Sequence, residues 1–67
     1  MEISARNQLP ATIKSIRLGN VMAEVVMAVG EHEMVAAITR SSVERLGLKE
    51  GDRVTAIVKS TEVMIAK

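Results

Sequence analysis

Ser41-Ser42-Val43-Glu44-Arg45-Leu46-Gly47 is the one helical-looking interruption in a chain that is otherwise patterned as short strands. Ser41 and Glu44 have capping-box spacing, in which a Ser hydroxyl accepts from the amide three residues on and the Glu reaches back. The spacing predicts a helix starting at Ser41. Gly47 can adopt the left-handed conformation that stops a helix, which limits this one to one or two turns.

Leu9–Leu18 precedes it, with β-branched Thr12, Ile13 and Ile16, and with Pro10 near the start, where a strand tolerates a missing donor. We read it as the first strand. Gly19-Asn20 then predicts a tight hairpin, because this dipeptide tolerates the positive φ angles such turns require. Val21–Val29 follows as a second strand. Its Val21, Ala23, Val25, Met27 and Val29 share one face, but Met22, Val26 and Ala28 make the other face apolar too. A strand covered on both faces is expected. Gly30-Glu31 makes the next turn, and His32–Thr39 is a third strand with Met34, Ala36 and Ile38 on one face.

Downstream of the helix, Leu48–Asp52 is a turn. Arg53–Lys59 alternates Val54, Ala56 and Val58 against Thr55 and Ile57, a fourth strand, and Val63–Ala66 is read as a fifth. The expectation is an all-β fold: a small five-stranded OB-like Greek-key barrel, with one short helix between its third and fourth strands.

Composition narrows the class. The chain has 67 residues, no Cys, one His and no Phe, Tyr or Trp, yet is 48% apolar. Residues 1–67 are read as a single domain. A domain of this size buries too little surface to be comfortably stable alone, and it lacks disulfides and a metal-ligand set. Self-association remains, so a homo-oligomer is expected. Nine basic against eight acidic residues give a net charge of +1, too balanced for broad attraction to nucleic acid or to an anionic membrane. Met1–Arg6 lacks the basic start and apolar stretch of a signal peptide, and a cytoplasmic location is expected. With one His, no Cys and no Gly-rich phosphate loop, no enzyme constellation is present, and the chain is expected not to be an enzyme. His32 lies between Glu31 and Glu33 and reads first as a surface residue in an acidic neighbourhood.

Two segments are dense in hydrogen-bond donors and free of acids: Ser4-Ala5-Arg6-Asn7-Gln8 and Lys59-Ser60-Thr61. A tetrahedral dianion has oxygens that only accept, so its site needs hydroxyls, amides and a cation, and no carboxylate. The same segments also read as a polar lead-in and a solvated turn, and their composition does not choose between these readings.

Taken together, Ser4–Gln8, Ala23-Glu24-Val25-Val26 and Val58-Lys59-Ser60-Thr61-Glu62-Val63-Met64 resemble the molbindins over essentially the entire chain. They also resemble the molybdate-binding domains appended to molybdate-responsive transcription regulators and to transporter ATPase subunits. The resemblance implies cytoplasmic binding and storage of molybdate or tungstate by a homohexamer, a trimer of dimers, without catalysis. It further implies an oxyanion site built from Ser4, Arg6, Lys59 and Ser60 of one subunit with Thr39 and Ser42 of its neighbour. A second type of site is expected from the same source, with Gly19, Asn20 and His32 as its candidates. Thr39 and Ser42 also read as residues that organise the helix start.

The rival class is a DNA-binding module. Leu46-Gly47-Leu48-Lys49-Glu50-Gly51-Asp52-Arg53-Val54 is similar to a turn of swapped-hairpin regulators, but Lys14, Arg17, Arg40, Arg45, Lys49 and Arg53 are scattered among acids rather than gathered in a basic stripe. A nucleic-acid-binding barrel would also stack bases on aromatic side chains, of which there are none.

Overall fold

A computed structural model of the chain describes residues 2–67; Met1, part of the segment read above for a leader, lies outside them. Four strands run β1 (Asn7–Leu18), β2 (Met22–Val29), β3 (His32–Thr39) and β4 (Arg53–Val58), with helix α1 (Arg40–Leu46) between β3 and β4. A 3₁₀ turn, η1 (Ser60–Glu62), follows β4. All three strand pairings are antiparallel and the order across the sheet is β3-β2-β1-β4. The first three strands form a meander, and the connection through α1 carries the chain back to the far side of β1. That is the Greek-key order.

The alternation read from the sequence settles on the expected faces. Ala11, Ile13, Ala23, Val25, Met27, Val43 and Ala56 are buried, and Leu9, Ile16, Met34, Ala36, Ile38 and Val54 pack against them. One irregularity explains how β1 puts both Ile13 and Ile16 inside. The register with β2 shifts between Ile13 and Ser15, a bulge that absorbs one residue and resets the two-residue phase. Lys14, in the bulge, points outward and pairs with Glu33 of β3. Past the bulge, Ile16 opposes Val25 and Arg17 opposes Glu24.

The turns correct the sequence reading in two places. Gly19 is not in a positive-φ conformation and neither is Asn20. Three residues, Gly19–Val21, connect β1 to β2, closed by the Gly19 amide donating to the Met22 carbonyl at 2.7 Å. Glycine is required there by space, since a Cβ would lie 2.7 Å from the Met22 oxygen. The helix begins one residue earlier than expected and is capped by Thr39, not Ser41: the Thr39 hydroxyl accepts from the Ser42 amide at 3.1 Å. Glu44 does not reach back to a cap but approaches Arg40 at 3.4 Å, one turn away. Thr39 takes the role because β3 stays paired through Thr39, opposite Met22, leaving it extended at the helix entrance.

The helix ends at Gly47 as expected, with φ 62°. The Gly47 and Leu48 amides donate to the Glu44 and Val43 carbonyls, each at 3.1 Å, which is the Schellman arrangement. In the turn that follows, the Asp52 carboxylate accepts from the Lys49 amide at 3.0 Å. The segment that resembles a DNA-binding turn is therefore occupied with ending a helix and launching β4.

A larger correction concerns the fifth strand. Among the described residues, Val63–Ala66 pairs with no strand, so the sheet has four strands and its edges, β3 and β4, remain open rather than closing into a five-stranded barrel. Apolar content made this segment look like a strand, but a strand also needs a partner edge, and after η1 this segment pairs with none among the described residues. Met64 and Ile65 are each 93% exposed. No helix is long and apolar enough to cross a membrane among the described residues.

Candidate functional site

The β1–β4 pairing creates the site. Asn7 opposes Val58 at the end of that ladder, so the residues just before Asn7 and just after Val58 must emerge side by side. They form a cleft of about 540 Å³ lined by Ser4, Ala5, Arg6, Asn7, Lys59, Ser60 and Thr61. Four of the residues singled out from the sequence, Ser4, Arg6, Lys59 and Ser60, meet here. Asn7 and Thr61 line the cleft as well and were not among the named candidates. Their signal was present, since both lie inside the donor-dense segments.

Local geometry fixes the two walls. The Gln8 side-chain amide donates to the Ala5 carbonyl at 2.7 Å, turning the segment before β1 into the cleft. On the other wall, η1 is held by the Glu62 amide donating to the Lys59 carbonyl at 2.9 Å. The side chains of Ser4, Arg6, Asn7, Lys59, Ser60 and Thr61 hydrogen-bond or pair with no other residue among those described, so their donors are uncommitted. No carboxylate lines the cleft and two cations do, which is the donor set an oxyanion requires. Ser4, Arg6, Lys59 and Ser60 are nevertheless exposed within the single chain. An anion there keeps one side in water, where each charge-assisted contact is weakened by the high dielectric.

Thr39 lies elsewhere, in a smaller cleft with Asn20, Val21, Arg40, Ser41 and Glu44. This second cleft lies at the far end of the sheet, on the order of 30 Å away along β1 at a strand's rise per residue. The Thr39 hydroxyl donates to the Ser42 hydroxyl at 2.8 Å, which leaves the Ser42 proton free to point outward. Both residues therefore organise the helix entrance, and Ser42 keeps a donor to spare. Glu44 in this cleft disfavours an anion held by these residues alone. Gly19 and Asn20 are near the same end, where the Gly19 carbonyl accepts from Arg40 at 3.4 Å. His32 begins β3 opposite Val29, at the other end of the β2–β3 hairpin and about 23 Å off at the same rise. One chain does not bring His32 to Gly19 and Asn20.

The cleft, the Greek-key sheet and the capped helix can be set beside known proteins. The TOBE domain pattern matches residues 3–65. The chain belongs to the TOBE domain family. Within this TOBE family it is 50% identical over 66 residues to molybdenum-pterin-binding protein 2 of Clostridium pasteurianum, covering 97% of each chain. Its fold superimposes on that of a molybdate-binding protein from Sporomusa ovata with a TM-score of 0.96, at 54% identity over the full length of both chains. It also matches the cytoplasmic molybdate-binding protein ModG, solved with molybdate bound, with a TM-score of 0.83 and 39% identity, spanning 90% of this chain and 43% of that one. These relatives are named as binding proteins, not as enzymes.

Proposed function

We propose that this chain binds molybdate or tungstate, and stores or buffers the oxyanion without catalysing a reaction. The observation that carries the reading is the cleft beside the Asn7–Val58 end of the β1–β4 ladder: seven lining residues, two of them cationic, none acidic, with free hydroxyls at Ser4, Ser60 and Thr61. The likeness to two molybdate-binding proteins and to a molybdenum-pterin-binding protein supports the same ligand.

In this reading residues 1–67 act as one unit. Ser4 and Ser60 donate to the oxyanion, Lys59 offsets its charge, and Arg6 contributes its backbone or its guanidinium. The open side of the cleft is closed by Thr39 and Ser42 of a neighbouring copy in a homohexamer, a trimer of dimers. The exposure of the four cleft residues supports such a cover, because removing water strengthens every donor around the anion. A second kind of site from Gly19, Asn20 and His32 needs His32 from another copy than the Gly19-Asn20 turn. The location proposed is the cytoplasm, as for ModG.

Isothermal titration with molybdate, tungstate and sulfate tests the proposal. Sulfate has the same charge and shape but is smaller, so a ring of donors sized for molybdate grips it poorly. Saturable binding of molybdate and tungstate with sulfate at least tenfold weaker is expected. Equal affinity for all three, or no heat with any, overturns it.

A further inference from the structure

Gln8 is the one member of the donor-dense segment Ser4–Gln8 that does not line the oxyanion cleft. It is anchored in the sheet instead, opposite Ile57 of β4, the strand that leads directly into Lys59 and Ser60 on the other wall. Its side-chain amide donates to the Ala5 carbonyl at 2.7 Å, and no other hydrogen bond to Ser4, Ala5 or Arg6 is formed among the described residues. The Arg6 amide lies just past the end of the β1–β4 ladder. Ile13 donates to the Asp52 carbonyl at 2.9 Å, which puts the bonded phase of β1 on Ile13, Ala11, Leu9 and Asn7, with the donor-less Pro10 in the unbonded phase. Arg6 therefore has no strand partner for its N–H. The peptide joining Ala5 to Arg6 is trans, so its C=O and N–H point in opposite directions.

We infer that Gln8 is a positioning residue of the cleft: by drawing the Ala5 carbonyl aside it turns the Arg6 N–H toward the oxyanion, which gains a fixed backbone donor without touching Gln8. This deepens the oxyanion reading above and rests on it. An Ala5 carbonyl left to face the cleft would repel a ligand whose oxygens only accept, whereas an N–H aimed at an anion makes a charge-assisted hydrogen bond, about twice as strong as a neutral one. Fixing the segment beforehand also removes ordering entropy that binding would otherwise have to overcome. Because Gln8 and Ile57 share the ladder, the clamp sets the Ser4–Asn7 wall relative to the Lys59–Thr61 wall rather than to solvent.

The test compares the full chain with Gln8→Met, nearly the same shape without a donor, and Gln8→Glu, the same shape with an ionised acceptor. Gln8 is exposed, so both variants should fold and melt within about 4 °C of the parent. Calorimetric titration with molybdate should show Gln8→Met weakened about tenfold, the order of one lost charge-assisted hydrogen bond, and Gln8→Glu weakened further. No charge is removed in Gln8→Met, so its deficit should be the same at 0.1 M and 1 M salt. In ¹⁵N-resolved spectra, saturating molybdate should move the Arg6 amide proton downfield in the parent and much less in Gln8→Met. A folded Gln8→Met protein with parental affinity overturns the inference. So does an Arg6 amide that molybdate leaves unmoved in the parent, or one that moves equally in parent and variant. A parent that gives no heat with molybdate defeats the oxyanion reading itself, and the role of Gln8 falls with it.

Discussion

Lys59→Ala separates oxyanion binding from folding more cleanly than any other single change. Lys59 is exposed and its ammonium is paired with no carboxylate among the described residues. Its loss should therefore alter stability by no more than about 0.5 kcal/mol, as for surface substitutions generally. An ammonium about 4 Å from a dianion contributes about 2 kcal/mol even at the dielectric of water. Screening at 0.1 M salt, where the Debye length is about 10 Å, reduces this to about 1.3 kcal/mol, or about tenfold in affinity. At 1 M salt the Debye length falls to about 3 Å and the difference should shrink to about twofold. Lys59→Arg keeps the charge and should stay within a few-fold of the parent. Calorimetric titration with molybdate at both salt concentrations, beside a thermal melt of each variant, reads all of these quantities. A folded Lys59→Ala protein with parental affinity at 0.1 M salt, or a deficit that does not respond to salt, would refute the assignment.

Other consequences concern the scaffold. Thr39→Ala removes the helix cap and should cost about 1 kcal/mol, seen as a melting temperature lower by about 4–8 °C; Thr39→Ser restores the cap and most of the loss. Gly47→Ala forces a side chain into the left-handed region at φ 62° and should cost about 1–2 kcal/mol in urea unfolding. Ile13→Ala empties the position of the largest fully buried side chain among the described residues, 2% exposed, and should cost about 2–5 kcal/mol by the same assay. Gly19→Ala places a methyl 2.7 Å from the Met22 oxygen, so the β1–β2 connection must open; a variant as stable as the parent would show that this turn is not under the constraint described.

Most of the scaffold was legible because two-residue alternation and glycine punctuation are local signals. Val54, Ala56 and Val58 against Thr55 and Ile57 gave β4, and Gly47 gave the helix stop. The bulge at Lys14 was not legible, although the three-residue step from Ile13 to Ile16 is its trace. The cap was misplaced because Thr39, Ser41 and Ser42 are all competent caps, and the choice is made by how far β3 remains paired to β2. Val63–Ala66 was read as a strand because apolar pattern reports the need for cover, not whether a strand edge is free to pair with it. For the site, residue types in Ser4–Gln8 and Lys59–Thr61 showed what each segment offers. Their convergence depends on the Asn7–Val58 register, a long-range fact that no local pattern contains.

In the proposed function an oxyanion sits between Ser4–Asn7 and Lys59–Thr61. Anomalous diffraction from crystals grown with tungstate locates the tungsten directly. A strong anomalous peak is expected in that cleft, with the oxyanion's oxygens within hydrogen-bonding reach of Ser4, Lys59 and Ser60 and with Thr39 and Ser42 of a neighbouring copy facing it. Tungsten found only elsewhere, or a cleft left empty at saturating tungstate, would contradict it.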